Sequence, residues 1–298
     1  MNAVQYMEHW AARVEATLDQ LLPAEHAAPP IIHRAMRYST LGGGKRLRGV
    51  LAVSACAAAG GDPERALPVA AALEMIHAYS LIHDDLPCMD DADLRRGKPS
   101  CHKVFGEAMA VLAGDALLTY AFLVLGRLPL LSGAAAPTAL AIIEEVAAAA
   151  GTAGLVGGQV ADLEAEGRAK QLSGEELRRI HARKTGALFR ASVRSGAMVG
   201  GASQEVLAAL TRYGEELGLA FQITDDILDV VGDTAAMGKR AGQDQERHKA
   251  TYPALYGLER ARAMAQEAIE RACAAVAPLN ERGQVLADLV RWLGSRDR

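Results

Sequence analysis

The sequence predicts an all-α fold, a single large bundle of about ten or more helices over residues 1–298. Three observations lead to this prediction. Alanine and leucine are abundant, whereas aromatic residues make up only 4% of the chain and β-branched runs are scarce. Apolar residues recur at helical spacing along nearly the whole length. No stretch is long enough to act as a linker, so we expect one helical unit rather than two.

Glycine, proline and capping residues divide the chain into its helices. The Gly-Gly-Asp-Pro run at 60–63 marks a turn. Pro87 disfavours helical geometry at the residue before it, and Ser173 with Glu176 forms a capping box. The segments predicted to be helical are 4–22, 31–40, 46–59, 66–86, 104–125, 134–150, 155–166, 174–195, 204–231, 252–276 and 280–292.

Composition excludes several classes of protein. With 32 basic and 36 acidic residues the net charge is −4, which argues against a nucleic-acid-binding protein. Four scattered cysteines do not form a disulfide framework, and residues 1–22 lack the pattern of a signal peptide, so we expect a cytoplasmic protein. The most apolar stretch carries Glu144 and Glu145 at its centre, so we expect no membrane span.

An acidic cluster near the end of the predicted helix 204–231 carries the clearest chemical signal. Asp225 and Asp229 are four residues apart and Asp226 and Asp229 three apart, so the three carboxylates share one helix face. Like charges at this spacing destabilise a helix, and the negative end of the helix dipole adds to the cost. A bound divalent metal offsets both.

A second acidic cluster follows the predicted helix 66–86. Asp84 and Asp85 end the helix, and Asp90 lies beyond Pro87. Six residues is a poor spacing for one straight helix face, but a bend at Pro87 folds Asp90 back toward Asp84. Carboxylate ligands suit Mg²⁺, which binds through one or two carboxylates plus substrate phosphates. Solvated loops rich in aspartate are the alternative for either cluster alone.

Basic residues accompany these acidic clusters. Arg95 and Arg96 follow the first cluster in the chain, and Lys239 and Lys249 follow the second. A further basic site follows three glycines at 42–44, where Lys45 and Arg48 stand at a helix start. This run lacks the order of a P-loop, so it predicts direct phosphate binding and not a nucleotide site. The small residues of the turn before Gln159 and Asp162 predict close helix packing rather than contact with substrate.

The order of these pieces resembles the trans-isoprenyl diphosphate synthases, most closely the bacterial farnesyl diphosphate synthases. The likeness runs from about residue 41 to 256. The matching segments are GGGKRLR at 42–48, LEMIHAYSLIHDDLPCMDD at 73–91, LRRG at 94–97, GLVGGQ at 154–159, HARKTGALF at 181–189, FQITDDILD at 221–229 and GKRAGQDQERHKATYP at 238–253. Gly49 departs from the pattern, because the family usually has proline there, and Ala92 stands where close relatives often extend the acidic run.

The resemblance implies a fold, a cofactor and site residues. It implies the isoprenoid synthase fold, a helical bundle around a deep cavity, with three Mg²⁺ per active site and an assembly of two identical chains. The implied metal ligands are Asp84, Asp85, Asp90, Asp225, Asp226 and Asp229. The implied contacts of the allylic diphosphate are Arg95, Lys184, Thr185, Gln222, Lys239 and Lys249, of which Lys184, Thr185 and Gln222 are also the candidate catalytic residues. The implied isopentenyl diphosphate site is Lys45, Arg48, His77 and Arg96.

The resemblance also implies a reaction, the head-to-tail condensation of isopentenyl diphosphate with dimethylallyl and then geranyl diphosphate through an allylic carbocation. In the family, pocket depth sets product length. Tyr79 beside Ser80, one turn before Asp84, resembles the pattern that forms fifteen-carbon farnesyl diphosphate. Geranyl or geranylgeranyl diphosphate remain alternative products. Two other classes remain open: a catalytically silent partner subunit of a synthase, and a Mg²⁺-dependent diphosphohydrolase.

Overall fold

The computed structural model describes residues 2–168, 172–231 and 250–295, and within them the all-α prediction is confirmed. The only paired strands among these residues form a two-stranded ribbon, β1 (Leu94–Arg95) and β2 (Lys98–Pro99). In chain order the α-helices are α1 (Ala3–Leu21), α2 (Pro30–Thr40), α3 (Leu47–Ala58), α4 (Leu67–Asp84), α5 (Cys101–Phe105), α6 (Glu107–Gly126), α7 (Leu128–Leu131), α8 (Ala136–Ala150), α9 (Leu155–Ala165), α10 (Gly174–His181), α11 (Ala187–Val199), α12 (Gln204–Val231), α13 (Tyr252–Tyr256), α14 (Leu258–Val276) and α15 (Glu281–Gly294).

The centre of the bundle is built from α3, α4, α11 and α12. Helix α4 packs between α3 and α6, and α11 packs between α3 and α12. Nearly every residue of α3 and α4 is buried, which explains why their sequences are apolar on all sides rather than on one stripe. The first acidic cluster therefore follows a largely buried helix, and its position is fixed by the core.

Three predicted helices differ from the structure, each for a local reason. The predicted helix 174–195 contains a π-helical turn, Ala182–Gly186, between α10 and α11. The segments 104–125 and 252–276 are each divided in two by a glycine, Gly106 with φ of 84° and Gly257 with φ of 80°. Glycine adopts this left-handed region without strain, whereas a helix does not continue through it.

Three stretches are long and apolar enough to span a membrane by length and composition alone: Pro63–Asp84, Glu107–Gly126 and Ala136–Ala165. The first is 83% buried inside the protein, but only 39% and 33% of the other two are buried. Glu145 on α8 forms an ion pair with Arg194 of α11 at 2.8 Å, which places its charge against the protein. The expectation of no membrane span stays a prediction. Helices α6 and α8 leave large apolar side chains exposed on the surface of the chain.

Candidate active site

The first acidic motif lies where α4 ends and the chain turns back on itself. Asp84 is the last residue of α4, and its carbonyl accepts a hydrogen bond from the N–H of Asp90 at 2.7 Å. A second bond runs from the N–H of Asp91 to the carbonyl of Leu86 at 3.0 Å. The turn that contains Pro87 therefore returns Asp90 to the end of the helix, beside Asp84, as the sequence predicts.

Asp85 and Arg95 form a tight ion pair behind this turn. The Asp85 side chain is buried, and the Nε of Arg95 donates to its two oxygens at 3.1 and 3.2 Å while Nη2 donates to Oδ1. Arg95 stands on β1, and the ribbon turns at Arg96 and Gly97, both with positive φ. In this arrangement the Asp85 carboxylate orients the guanidinium of Arg95 on the basic ribbon.

The second acidic motif is tied to its neighbours by a chain of hydrogen bonds. The hydroxyl of Thr185 donates to Gln222 Oε1 at 2.7 Å, and the Gln222 amide donates to Asp226 Oδ1 at 2.8 Å. The backbone N–H of Tyr252 donates to the other Asp226 oxygen at 2.9 Å. Asp226 and Asp229 are buried, and Asp225 is partly exposed on the same helix. The chain connects the acidic end of α12 to the π-helical turn that carries Thr185.

Lys184, next to Thr185, interacts electrostatically with the first acidic motif. Burial lowers the pKa of its ammonium, but Asp162 and then Asp84 and Asp90 outweigh burial, and the net pKa is raised. The charges of the first motif therefore act on Lys184, while the adjacent Thr185 is linked to Asp226 of the second motif through Gln222. The π-helical turn therefore carries one residue that interacts with the first motif and one that is linked to the second.

Asp162 is a site residue that the sequence reasoning missed. Its Oδ2 lies 2.6 Å from the Nζ of Lys184, and both side chains are largely buried. The predicted close packing of the glycines before it is present: a Cβ on Gly158 would lie 2.2 Å from the backbone nitrogen of Lys184. No local signal reveals the pair, because the two residues are 22 positions apart and meet only in the folded chain.

Three of the four residues predicted to hold the isopentenyl diphosphate interact with one another: Arg48 and Arg96, which form a cationic group, and His77 beside them. Arg48 is stacked on the Phe189 ring with 4.6 Å between its guanidinium carbon and the ring centroid. Burial lowers the pKa of Arg48 to about 10. Burial, then Arg48 and Arg96, hold the pKa of His77 well below its ordinary range, so its imidazole is neutral at pH 7. A concentration of cations this dense favours an anion.

Tyr79 and Ser80 lie in the core one turn before Asp84. Tyr79 is 4% exposed, and its ring stands edge-on against His83 with 5.7 Å between centroids. Burial, with a smaller effect of Asp84, raises the pKa of Tyr79 to about 12. Ser80 donates to the carbonyl of His77 at 2.9 Å and contributes no bulk.

Two predicted site residues, Lys239 and Lys249, lie outside the described residues. Among the side chains that are described, no three Asp, Glu, His or Cys residues converge closely enough to form a metal site by themselves. A metal at either acidic motif therefore needs further ligands, which a substrate diphosphate supplies.

Comparison with known proteins identifies the family. The polyprenyl synthetase family model matches residues 29–285. A farnesyl diphosphate synthase of Geobacillus stearothermophilus is 45% identical over 100% of this chain and 99% of its own length. A chloroplastic geranylgeranyl pyrophosphate synthase of Arabidopsis thaliana is 50% identical over 88% of this chain and 72% of its own. The apo crystal structure of an FPP/GFPP synthase from Zymomonas mobilis has a TM-score of 0.87 and 38% identity, and covers 98% of this chain and 100% of that one.

The fold, the acidic motifs and these matches define a helical prenyltransferase, a trans-prenyl diphosphate synthase. More particularly, the chain belongs to the polyprenyl synthetase family.

Proposed function

We propose that this chain makes farnesyl diphosphate by condensing isopentenyl diphosphate with dimethylallyl and then geranyl diphosphate. The observation that carries the choice of product is the buried ring of Tyr79, one turn before Asp84 on α4. An apolar chain that grows along α4 from the acidic end meets this ring. Relatives named for farnesyl and for geranylgeranyl products match about equally well, so product length is argued from Tyr79 and not from identity.

The two acidic motifs are proposed to hold three Mg²⁺ together with the allylic diphosphate. Their carboxylate oxygens are the donors that Mg²⁺ prefers, and the synthases of this family are generally magnesium-dependent. When bound, Mg²⁺ supplies the charge that stabilises a departing diphosphate. Asp84, Asp90, Asp225 and Asp229 are proposed as direct ligands. Asp85 and Asp226 belong to the same predicted set, and their bonds to Arg95 and to Gln222 give each of them an orienting role as well.

The basic side chains of the site are proposed to form two sets, one for each substrate. Lys184 and Arg95, with Lys239 and Lys249, bind the allylic diphosphate and stabilise its charge as the C–O bond breaks. Lys45, Arg48, His77 and Arg96 bind isopentenyl diphosphate. The neutral imidazole of His77 donates a hydrogen bond there without adding a further charge to the arginines.

The oxygens of Thr185 and Gln222 are proposed to face the developing carbocation. Their mutual hydrogen bond and the anchor on Asp226 hold them in place before substrate arrives. Preorganised dipoles stabilise a developing charge without reorganising during the reaction. The released diphosphate accepts the final proton, so the proposal needs no side-chain base. The apolar cavity expected among the helices excludes the water that quenches a cation.

Incubation with isopentenyl and geranyl diphosphates plus Mg²⁺, followed by chromatography of the dephosphorylated products, tests this function. We expect farnesol and release of one diphosphate per condensation. A longer alcohol identifies a geranylgeranyl synthase. Diphosphate release that does not need isopentenyl diphosphate identifies a diphosphohydrolase. Turnover of dimethylallyl but not of geranyl diphosphate identifies a geranyl diphosphate synthase. No turnover of either allylic substrate by the chain alone identifies a silent subunit, an alternative that the presence of both complete motifs disfavours.

A homodimer built from the one domain of residues 1–298 is proposed as the cytoplasmic form. Helices α6 and α8 leave large apolar side chains exposed, including Val111, Leu112, Leu123 and Leu140. Large apolar side chains exposed on two helices that pack against each other are typical of a protein–protein interface. Light scattering after size exclusion is expected to give twice the chain mass for the wild type and a single chain mass for Leu112→Asp. Val4→Asp, which puts the same charge on an exposed apolar residue at the start of α1, is the control that stays dimeric.

A further inference from the structure

A buried carboxylate lies beneath the cationic group of the site. Glu74 is 2% exposed in the middle of α4, one turn before His77. Its Oε1 accepts a hydrogen bond from the backbone N–H of Gly49 at 2.9 Å, and its Oε2 lies 3.7 Å from Nη1 of Arg46. A buried carboxylate is costly unless paired, and these two contacts, both to the start of α3, are its compensation.

Arg46 is held in an unusual backbone conformation at that helix start. It is the residue before α3, with φ of 49°, a left-handed conformation that costs a non-glycine residue about 1–2 kcal/mol. Its side chain is buried and donates from Nε to Glu15 at 2.6 Å and from Nη2 to the carbonyl of Thr40 at 2.5 Å. Glu74 is the third oxygen-bearing group around the Arg46 side chain. Because Arg46 stands between Lys45 and Arg48, its conformation sets the directions in which both leave the backbone.

Gly49 gives this chain a hydrogen bond that the usual family residue lacks. It is the third residue of α3, where a backbone N–H has no partner within the helix. Proline, the usual residue of the family at this position, has no N–H to donate. Here the glycine donates to Glu74, so one carboxylate joins the helix start to α4, which also carries His77.

We propose that Glu74 is a positioning residue for isopentenyl diphosphate: through Gly49 and Arg46 it holds the start of α3 so that Lys45 and Arg48 converge on the diphosphate. The inference rests on the proposed function, which assigns Lys45 and Arg48 to that substrate. Burial lowers the pKa of Arg48, and the negative charge of Glu74 opposes this shift. Glu74 likewise opposes the lowering of the Arg96 pKa by burial.

The effect of Glu74 is expected on one substrate only. Lys184 and Arg95, the proposed contacts of the allylic diphosphate, are oriented by other carboxylates, those of Asp162 and Asp85. Loss of Glu74 therefore leaves their anchors intact. A residue with a merely structural role would disturb both substrates together or neither.

Steady-state kinetics of Glu74→Gln test the inference. Glutamine keeps an acceptor for the Gly49 N–H and removes the charge opposite Arg46. We expect the KM for isopentenyl diphosphate to rise about tenfold, the size of one charge-assisted interaction. The KM for geranyl diphosphate is expected to stay within about twofold. Equal rises in both KM values, or no change in either, overturn the inference.

Two substitutions at Gly49 form a matched pair that is independent of the charge change. In both Gly49→Ala and Gly49→Pro the new Cβ meets Val14 at 3.0 and 3.1 Å, but only proline removes the N–H. We expect Gly49→Pro to raise the KM for isopentenyl diphosphate several-fold above that of Gly49→Ala, even though proline is the common residue of the family. Equal values for the two variants overturn the role of the hydrogen bond.

The wild type separates a failure of this inference from a failure of the proposed function. A wild type that does not consume isopentenyl diphosphate overturns both. A wild type that does so, with Glu74→Gln unchanged in the KM for this substrate, overturns the inference alone. If Glu74→Gln does not fold, as judged by its circular dichroism and melting curve, the two Gly49 variants test the inference in its place.

Discussion

The indole of Trp292 lies under the ammonium of Lys45, with 5.5 Å between Nζ and the ring centroid. This distance is within the range in which a cation is attracted to an aromatic face. Trp292 stands on α15, so the last helix of the fold supports a lysine proposed to bind isopentenyl diphosphate. Neither the spacing nor the order of motifs in the sequence indicates this contact.

Replacement of Trp292 by leucine is expected to raise the KM for isopentenyl diphosphate about two- to thirtyfold, because a cation–π contact contributes about 0.5–2 kcal/mol. Trp292→Phe keeps an aromatic face and is expected to retain most of the affinity. Initial rates at varied isopentenyl diphosphate measure both. If the leucine and phenylalanine variants behave alike, the ring acts through its volume and not through the cation.

Substitution of Asp162 by asparagine is expected to lower kcat/KM for the allylic substrate about tenfold. Asparagine keeps the shape of the side chain but loses the charge that orients Lys184 and raises its pKa. Lys184→Ala removes the ammonium itself and is expected to cost more. Kinetics with geranyl diphosphate varied at saturating isopentenyl diphosphate measure the effect. An Asp162→Asn enzyme with wild-type kinetics contradicts the orienting role.

Truncation of Tyr79 to alanine is expected to lengthen the products beyond fifteen carbons. The change removes a buried ring from α4 one turn before Asp84 and opens space along the helix. Tyr79→Phe removes only the hydroxyl and is expected to keep the fifteen-carbon product. Chromatography of the products measures chain length: if Tyr79→Ala still makes only fifteen-carbon chains, the floor of the pocket lies elsewhere.

The buried His181 predicts a loss of stability in acid. Burial lowers the pKa of His181 to about 4, with Asp162 opposing the shift and Lys184 adding to it. The pKa of an unfolded histidine is about 6.5. Above that pH neither state is protonated, so His181 has no effect. As the pH falls from about 6.5 to 4, the unfolded chain binds a proton that the folded protein does not, and folding weakens by up to about 3 kcal/mol.

Melting temperatures between pH 7 and 4 test this prediction. His181→Gln removes the titrating group and is expected to show a smaller fall in melting temperature with acid than the wild type. The His181 ring packs at a tilt on the Tyr252 ring, with 5.5 Å between centroids. Loss of this contact makes the variant less stable at pH 7. The slope with pH is therefore the informative quantity. Parallel curves for the two proteins contradict a buried neutral histidine.

Elements of the fold that depend on local physics were predictable from the sequence. Helical periodicity, the capping box at Ser173 and the proline that follows the first acidic pair are short-range features, and the structure has the corresponding helices and turn. The helix breaks at Gly106 and Gly257 were not predictable in this way. A glycine is compatible with a helix interior, and only the packing of the folded chain requires a positive φ there. The π-helical turn before α11 has no simple sequence signal.

By itself the sequence determined the helical class, the two acidic motifs and the cations that follow them, since residue type and spacing along one chain decide these. Only the tertiary structure decided which carboxylate meets which cation. Asp85 with Arg95, Asp162 with Lys184 and Glu74 with Arg46 each join separate elements. A charge interaction depends on distance in space, and that distance is set by how the helices pack, which the spacing of residues along one helix does not encode.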